Sequence, residues 1–85
     1  MNVKVRFFAG LKEQLGRDTQ VVSEPFSPTT VAGLRQHLCA SDPGFAQALA
    51  EVGRIQVAVN QDMADEHTEV PNGAEVAFFP PVTGG

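Results

Sequence analysis

The chain closes with Glu75-Val76-Ala77-Phe78-Phe79-Pro80-Pro81-Val82-Thr83-Gly84-Gly85. Residues 75–79 alternate: Val76 and Phe78 share one face, Ala77 and Phe79 the other, as in a half-buried strand. Pro80-Pro81 cannot donate to a ladder, so the strand must stop there and leave by a stiff, extended path. The last strand of an 85-residue chain needs a partner, and the best candidate is at the other end. There Val3, Val5 and Phe7 alternate with Lys4, Arg6 and Phe8, again with period two.

Between these two strands the period changes. Leu11 and Leu15 lie four apart in a short helix over Ala9–Leu15, and Gly16 stands where a C-cap glycine belongs. Thr19 to Ser23, with Val21 and Val22, reads as a second strand, closed off by Pro25 and Pro28. Thr29 or Thr30 can cap a helix whose apolar face is Val31, Leu34 and Leu38, although Gly33, a poor helix former, lies inside it. Ser41-Asp42-Pro43 restarts a helix, with Phe45 and Leu49 on its apolar side. Ile55, Val57 and Val59 make a third strand, and Asn60-Gln61-Asp62 and Pro71-Asn72-Gly73 are turns. The order predicts an α+β domain: a mixed sheet with helices on one face, and first and last strands parallel, as in a ubiquitin-like roll.

Composition bounds the function. An apolar fraction of 42% and a charged fraction of 19% fit a single globular domain. The net charge of −4, with six Lys and Arg scattered from Lys4 to Arg54, argues against nucleic acid or a membrane surface as partner. One cysteine, Cys39, cannot form an internal disulfide, and the opening residues read as a strand rather than a signal peptide. A cytoplasmic protein is the expectation.

The familiar catalytic sets are missing. His37 and His67 are far apart, there is no Cys-x-x-Cys, and no phosphate-binding glycine loop occurs, so no metal or bound nucleotide is expected. Cys39 reads as a buried or inert thiol and His37 as a surface or helix-end residue rather than a base. The acidic set Asp62, Asp65, Glu66 and Glu69 lacks the order and turn glycine of a calcium loop, so a solvated acidic loop is expected.

The tail offers chemistry. From Pro80 to Gly85 the titrating group is the α-carboxyl of Gly85, a kind of group with a pKa of about 3.5. A carboxylate can attack the α-phosphate of ATP, and the acyl-adenylate can then be opened by sulfur or by an amine. Two glycines thread a narrow channel and allow close backbone approach. Strand parity adds a docking surface: Phe8 and Phe79 both point away from the helices, and Met63 beyond the Asn60 turn can join them.

Val-Ala-Phe-Phe-Pro-Pro-Val-Thr-Gly-Gly, residues 76–85, resembles the C-terminal signature of the MoaD family, the small subunits of molybdopterin synthase. Val-Arg-Phe-Phe-Ala (5–9), Leu-Arg-Gln-His-Leu (34–38) and Ala-Val-Asn-Gln (58–61) are similar to that family at matching places. Gly73-Ala74-Glu75 departs from the Gly-Asp-Glu often found before the last strand, which touches a turn and not the tail. The resemblance implies a β-grasp domain over residues 1–79 and an extended tail over 80–85. It implies a non-catalytic, sulfur-donating subunit of a heterotetramer with the large synthase subunit. An E1-like enzyme would adenylate Gly85 with ATP, a sulfur donor system would convert it to a thiocarboxylate, and the tail would carry the sulfur to cyclic pyranopterin monophosphate. Gly85 is then the sulfur-bearing residue, Pro80, Pro81, Val82, Thr83 and Gly84 insert into the partner, and Phe8, Met63 and Phe79 dock. No cofactor is held by the chain itself. The rival readings are a thiamine-pathway sulfur carrier, typically shorter and without Phe-Phe-Pro-Pro, a ubiquitin-like protein modifier, and an interaction module with an inert tail.

Overall fold

The computed structural model describes residues 1–81; residues 82–85 lie outside the described residues. The elements run β1 (Val3–Phe7), α1 (Ala9–Leu15), β2 (Thr19–Val22), α2 (Val31–Ser41), α3 (Pro43–Val52), β3 (Gln56–Val59), β4 (Asp62–Ala64) and β5 (Glu75–Phe79). They form one five-stranded sheet in the order β2-β1-β5-β3-β4. β5 pairs parallel with β1, with Val5 opposite Val76 and Phe7 opposite Phe78, and antiparallel with β3. This is the β-grasp arrangement expected of the two end strands.

The core lies between the sheet and the helices. Val3, Val5, Phe7, Val76 and Phe78 face Leu11, Val31, Leu34, Leu38 and Phe45, all buried. Phe45 of α3 sits between two sheet rings, its centroid 5.8 Å from that of Phe7 and 5.8 Å edge-on from that of Phe78. Aromatic pairs in such tilted geometry contribute about 0.5–1.5 kcal/mol beyond their buried area.

Several expectations need correction. Asp62 is not the end of the turn: Asn60 and Gln61, both with positive φ, make the connection, and Asp62 opens β4 opposite Val59. α3 buries Phe45 and Ala48, while Leu49 is half-buried. β2 ends at Val22 rather than Ser23, and β3 starts at Gln56, leaving Ile55 as a half-buried flank. Phe26 and Val70 join the core from irregular segments. Cys39 is half-buried against the core. His37 is half-buried too, 3.2 Å from Glu24 and beside the Phe26 ring.

Thr30 is the cap of α2, accepting from the Gly33 amide at 3.4 Å. Gly33 inside this helix has a packing reason: its Cα is pressed against the backbone of Pro28, and a Cβ there would overlap the Pro28 carbonyl oxygen. Gly33→Ala should therefore destabilise the fold by about 1–3 kcal/mol, despite alanine's better helix propensity. Urea denaturation at fixed pH checks this; a more stable variant would mean the contact yields freely.

Asp42 ends α2 and caps α3, accepting from Gly44 at 3.0 Å and Phe45 at 3.3 Å. Arg17, whose guanidinium lies 5.6 Å from the Phe7 ring centroid, also donates to Asp42 and ties the β1–β2 region to the helix junction. Burial pushes the Asp42 carboxyl up, but the Arg17 and backbone donors outweigh it and hold it below its ordinary value. A depressed folded pKa means the stabilisation is present above the unfolded value, about 3.9, and is lost as pH falls through the folded one. Asp42→Asn should cost on the order of 1 kcal/mol at neutral pH and weaken the acid dependence of the thermal midpoint between about pH 5 and 2. Melts across that range would show an unchanged slope if other carboxylates control it.

Candidate docking face and carrier tail

Opposite the helices the sheet is open. Its rows follow from the register: Thr19, Arg6, Ala77, Ala58 and Met63 lie side by side across all five strands on this face. Phe8 and Phe79 occupy the next row, where the Phe8 amide donates to the Phe78 carbonyl at 3.2 Å and continues the parallel ladder. Phe8 is 39% exposed and Phe79 half-buried.

Together with Ala9, Ala77 and Pro80, the two rings line an apolar depression at the point where the chain leaves β5. The structure therefore brings Phe8 and Phe79 together, as strand parity anticipates, and sets Pro80 on the rim. Met63 is on the same face and 64% exposed, but it lines a separate hollow near the β4 edge with Arg35, Gln56 and Glu66. Pro81 is half-buried; Val82, Thr83, Gly84 and Gly85 lie outside the described residues.

Two contributors to this face escape the sequence reading. Ala9 has φ of +52°, a left-handed backbone that costs an L residue roughly 1–2 kcal/mol, and its methyl forms part of the depression. It lets the chain turn from β1 into α1 directly after Phe8. Nothing in the local sequence marks that turn, since alanine is not a turn residue. Arg6 lies with its guanidinium carbon 5.3 Å from the Phe8 ring centroid and a nitrogen 3.9 Å from the Glu75 carboxylate. The i, i+2 spacing of Arg6 and Phe8 carried that signal.

The acidic residues serve local structure. Asp65 accepts from the His67 amide at 2.8 Å, Glu66 pairs with Arg35 at 3.1 Å, and Glu69 accepts from Thr29 at 3.3 Å. Among the described residues no helix is long and apolar enough to cross a membrane.

The ThiS family model matches residues 5–85, from within β1 through β5 and the tail. The chain belongs to the ThiS family. Within that family it is 46% identical to the molybdopterin synthase sulfur carrier subunit of Escherichia coli (strain K12), over 98% of this chain and 99% of that one. This ThiS-family chain also superposes on SAMP1 from Haloferax volcanii with a TM-score of 0.77 and 29% identity, each covered in full. It superposes on a chain of the complex of subunits 1 and 2 of molybdopterin-converting factor from Helicobacter pylori 26695 with a TM-score of 0.67 and 26% identity, again over the whole of both chains.

The neighbouring phenylalanines of this family member should separate fold from surface. Phe78 is buried, so Phe78→Ala should cost about 3–5 kcal/mol. Phe79, on the open face, should cost well under half of that when replaced by Ala. Parallel thermal melts check the parity; equal losses would place both rings in the core.

Proposed function

We propose that this chain is a sulfur carrier of molybdenum cofactor biosynthesis that acts through the carboxylate of Gly85. The observation that carries the reading is the 46% identity to the Escherichia coli molybdopterin synthase sulfur carrier subunit over nearly the full chain. Geometry supports it: the apolar depression of Phe8, Phe79 and Pro80 lies where the chain leaves the sheet toward its terminal glycines.

In this reading an E1-like enzyme binds the carrier and presents ATP to the Gly85 carboxylate. A carboxylate oxygen attacks the α-phosphate, pyrophosphate leaves, and an acyl-adenylate forms. A sulfur donor then displaces AMP to give the thiocarboxylate. The charged carrier docks its open face on the large synthase subunit, with Phe8 and Phe79 at the centre and Met63 at the flank. Residues 80–84 enter the partner, the Gly85 thiocarboxylate sulfur bonds to a carbon of cyclic pyranopterin monophosphate, and water then cleaves the acyl–sulfur bond, leaving sulfur on the pterin and a carboxylate on Gly85. Two carriers on a dimer of large subunits make a heterotetramer able to supply both sulfurs, with the cytoplasm as its compartment. Residues 1–79 act as the docking body and 80–85 as the arm.

Deleting Gly85 should abolish molybdopterin formation while barely changing thermal stability or docking, because Gly84 and Gly85 offer no side chain to the core. The shortened arm ends one residue early, up to about 3.3–3.6 Å, which exceeds the tolerance of a transfer needing reacting atoms within about 3–3.5 Å. The checks are a synthase assay with purified large subunit and activating enzyme, a pull-down, and mass spectrometry of the wild-type terminus. Near-normal product from the truncated chain would refute the thiocarboxylate route. Covalent attachment of Gly85 to protein lysines, without oxygen-for-sulfur exchange, would instead make the chain a protein modifier.

A further inference from the structure

We propose that Arg6 is a specificity-determining residue of the docking face, pairing with a carboxylate that the large subunit presents beside the apolar depression. The inference rests on the docking reading above and adds the chemistry that the partner must show.

Arg6 sits opposite Ala77 on the open face, and its guanidinium is placed over the Phe8 ring at 5.3 Å. Both of those neighbours line the depression. Its ion pair with Glu75 is loose: 3.9 Å is beyond hydrogen-bond range, and the two side chains are 43% and 31% exposed. The ring thus fixes where the charge stands, while the guanidinium's donor fork is not consumed by Glu75. A planar fork held in place is suited to a carboxylate, which it binds through two parallel bonds.

Charge distribution says which sign the partner must carry. The chain is acidic, at −4. Lys4 and Arg6 nevertheless alternate onto the same face of β1, and in the register Glu75 is the acidic residue set beside them. The open face is therefore locally basic on an acidic body. An acidic partner surface is repelled by most of the molecule and attracted here, which fixes orientation as well as affinity. On docking, water leaves the depression and an Arg6–carboxylate pair at its rim strengthens. Glu75 competes for the same guanidinium and lowers the gain.

The test is a titration of the purified large subunit from the same organism with the carrier at several salt concentrations. Arg6→Ala should weaken binding about tenfold at low salt and flatten the salt dependence. Arg6→Lys should restore the salt slope but only part of the affinity, since it lacks the fork. Glu75→Gln should tighten binding about threefold when Arg6 is present and have no effect in the Arg6→Ala background. Thermal melts confirm that each variant is folded. Unchanged affinity and salt slope for Arg6→Ala, with Phe79→Asp still disrupting the complex, would overturn the carboxylate pairing alone. Binding that survives both substitutions would overturn the docking face itself.

Discussion

Everything functional in this molecule depends on the register between its first and last strands. Val5 opposite Val76 and Phe7 opposite Phe78 put four apolar side chains into the core. The same pairing sends Arg6, Phe8, Ala77 and Phe79 to the other side. A slip of one residue would exchange Phe78 with Phe79, emptying the space around Phe45 and burying the ring that now lines the open-face depression. The register is pinned beyond the strands as well. Gly73 donates to the Asn2 carbonyl at 2.7 Å, Lys4 to that of Ala74 at 2.9 Å, and Phe8 to that of Phe78 at 3.2 Å. Core and open face are thus two readings of one alignment.

Much of this was legible in the sequence because period two carries both faces of a strand. Val3, Val5 and Phe7 announce β1, Val76 and Phe78 announce β5, and the residues between them announce the open face. The helices were legible from Val31, Leu34 and Leu38, and from the Asp42-Pro43 restart. β4 was not. Three residues, Asp62-Met63-Ala64, are too few to show alternation, and Asp62 resembles turn sequence. Its pairing comes from the two-residue Asn60-Gln61 turn, whose left-handed backbone the residue types suggest only weakly.

The core also draws on residues no periodicity marks. Phe26 and Val70 lie in irregular segments, and the space they fill exists only once the α2 start is pinned against the loop at 65–70. The amides of Val31 and Ala32 donate to the carbonyls of Thr68 and Glu66, so the orphan donors of a helix start are satisfied by chain more than thirty positions away. Gly33 belongs to the same class: a helix-weakening residue by propensity, required by a backbone approach that only the folded chain reveals. Of the three apolar residues proposed for docking, parity correctly paired Phe8 with Phe79. It could not say that Met63 would line a hollow of its own, because that depends on how far β4 lies from β5 in the strand order.

The strand order has a mechanical consequence. β5 is the middle strand, bonded to β1 on one side and β3 on the other, and the tail is its direct continuation. A pull directed along β5 from its C-terminal end therefore loads both ladders at once in shear, rather than opening them one bond at a time from an edge. Hydrogen bonds loaded together yield at far greater force than bonds loaded in sequence. A partner that gripped the arm would be tugging on the central strand of the sheet.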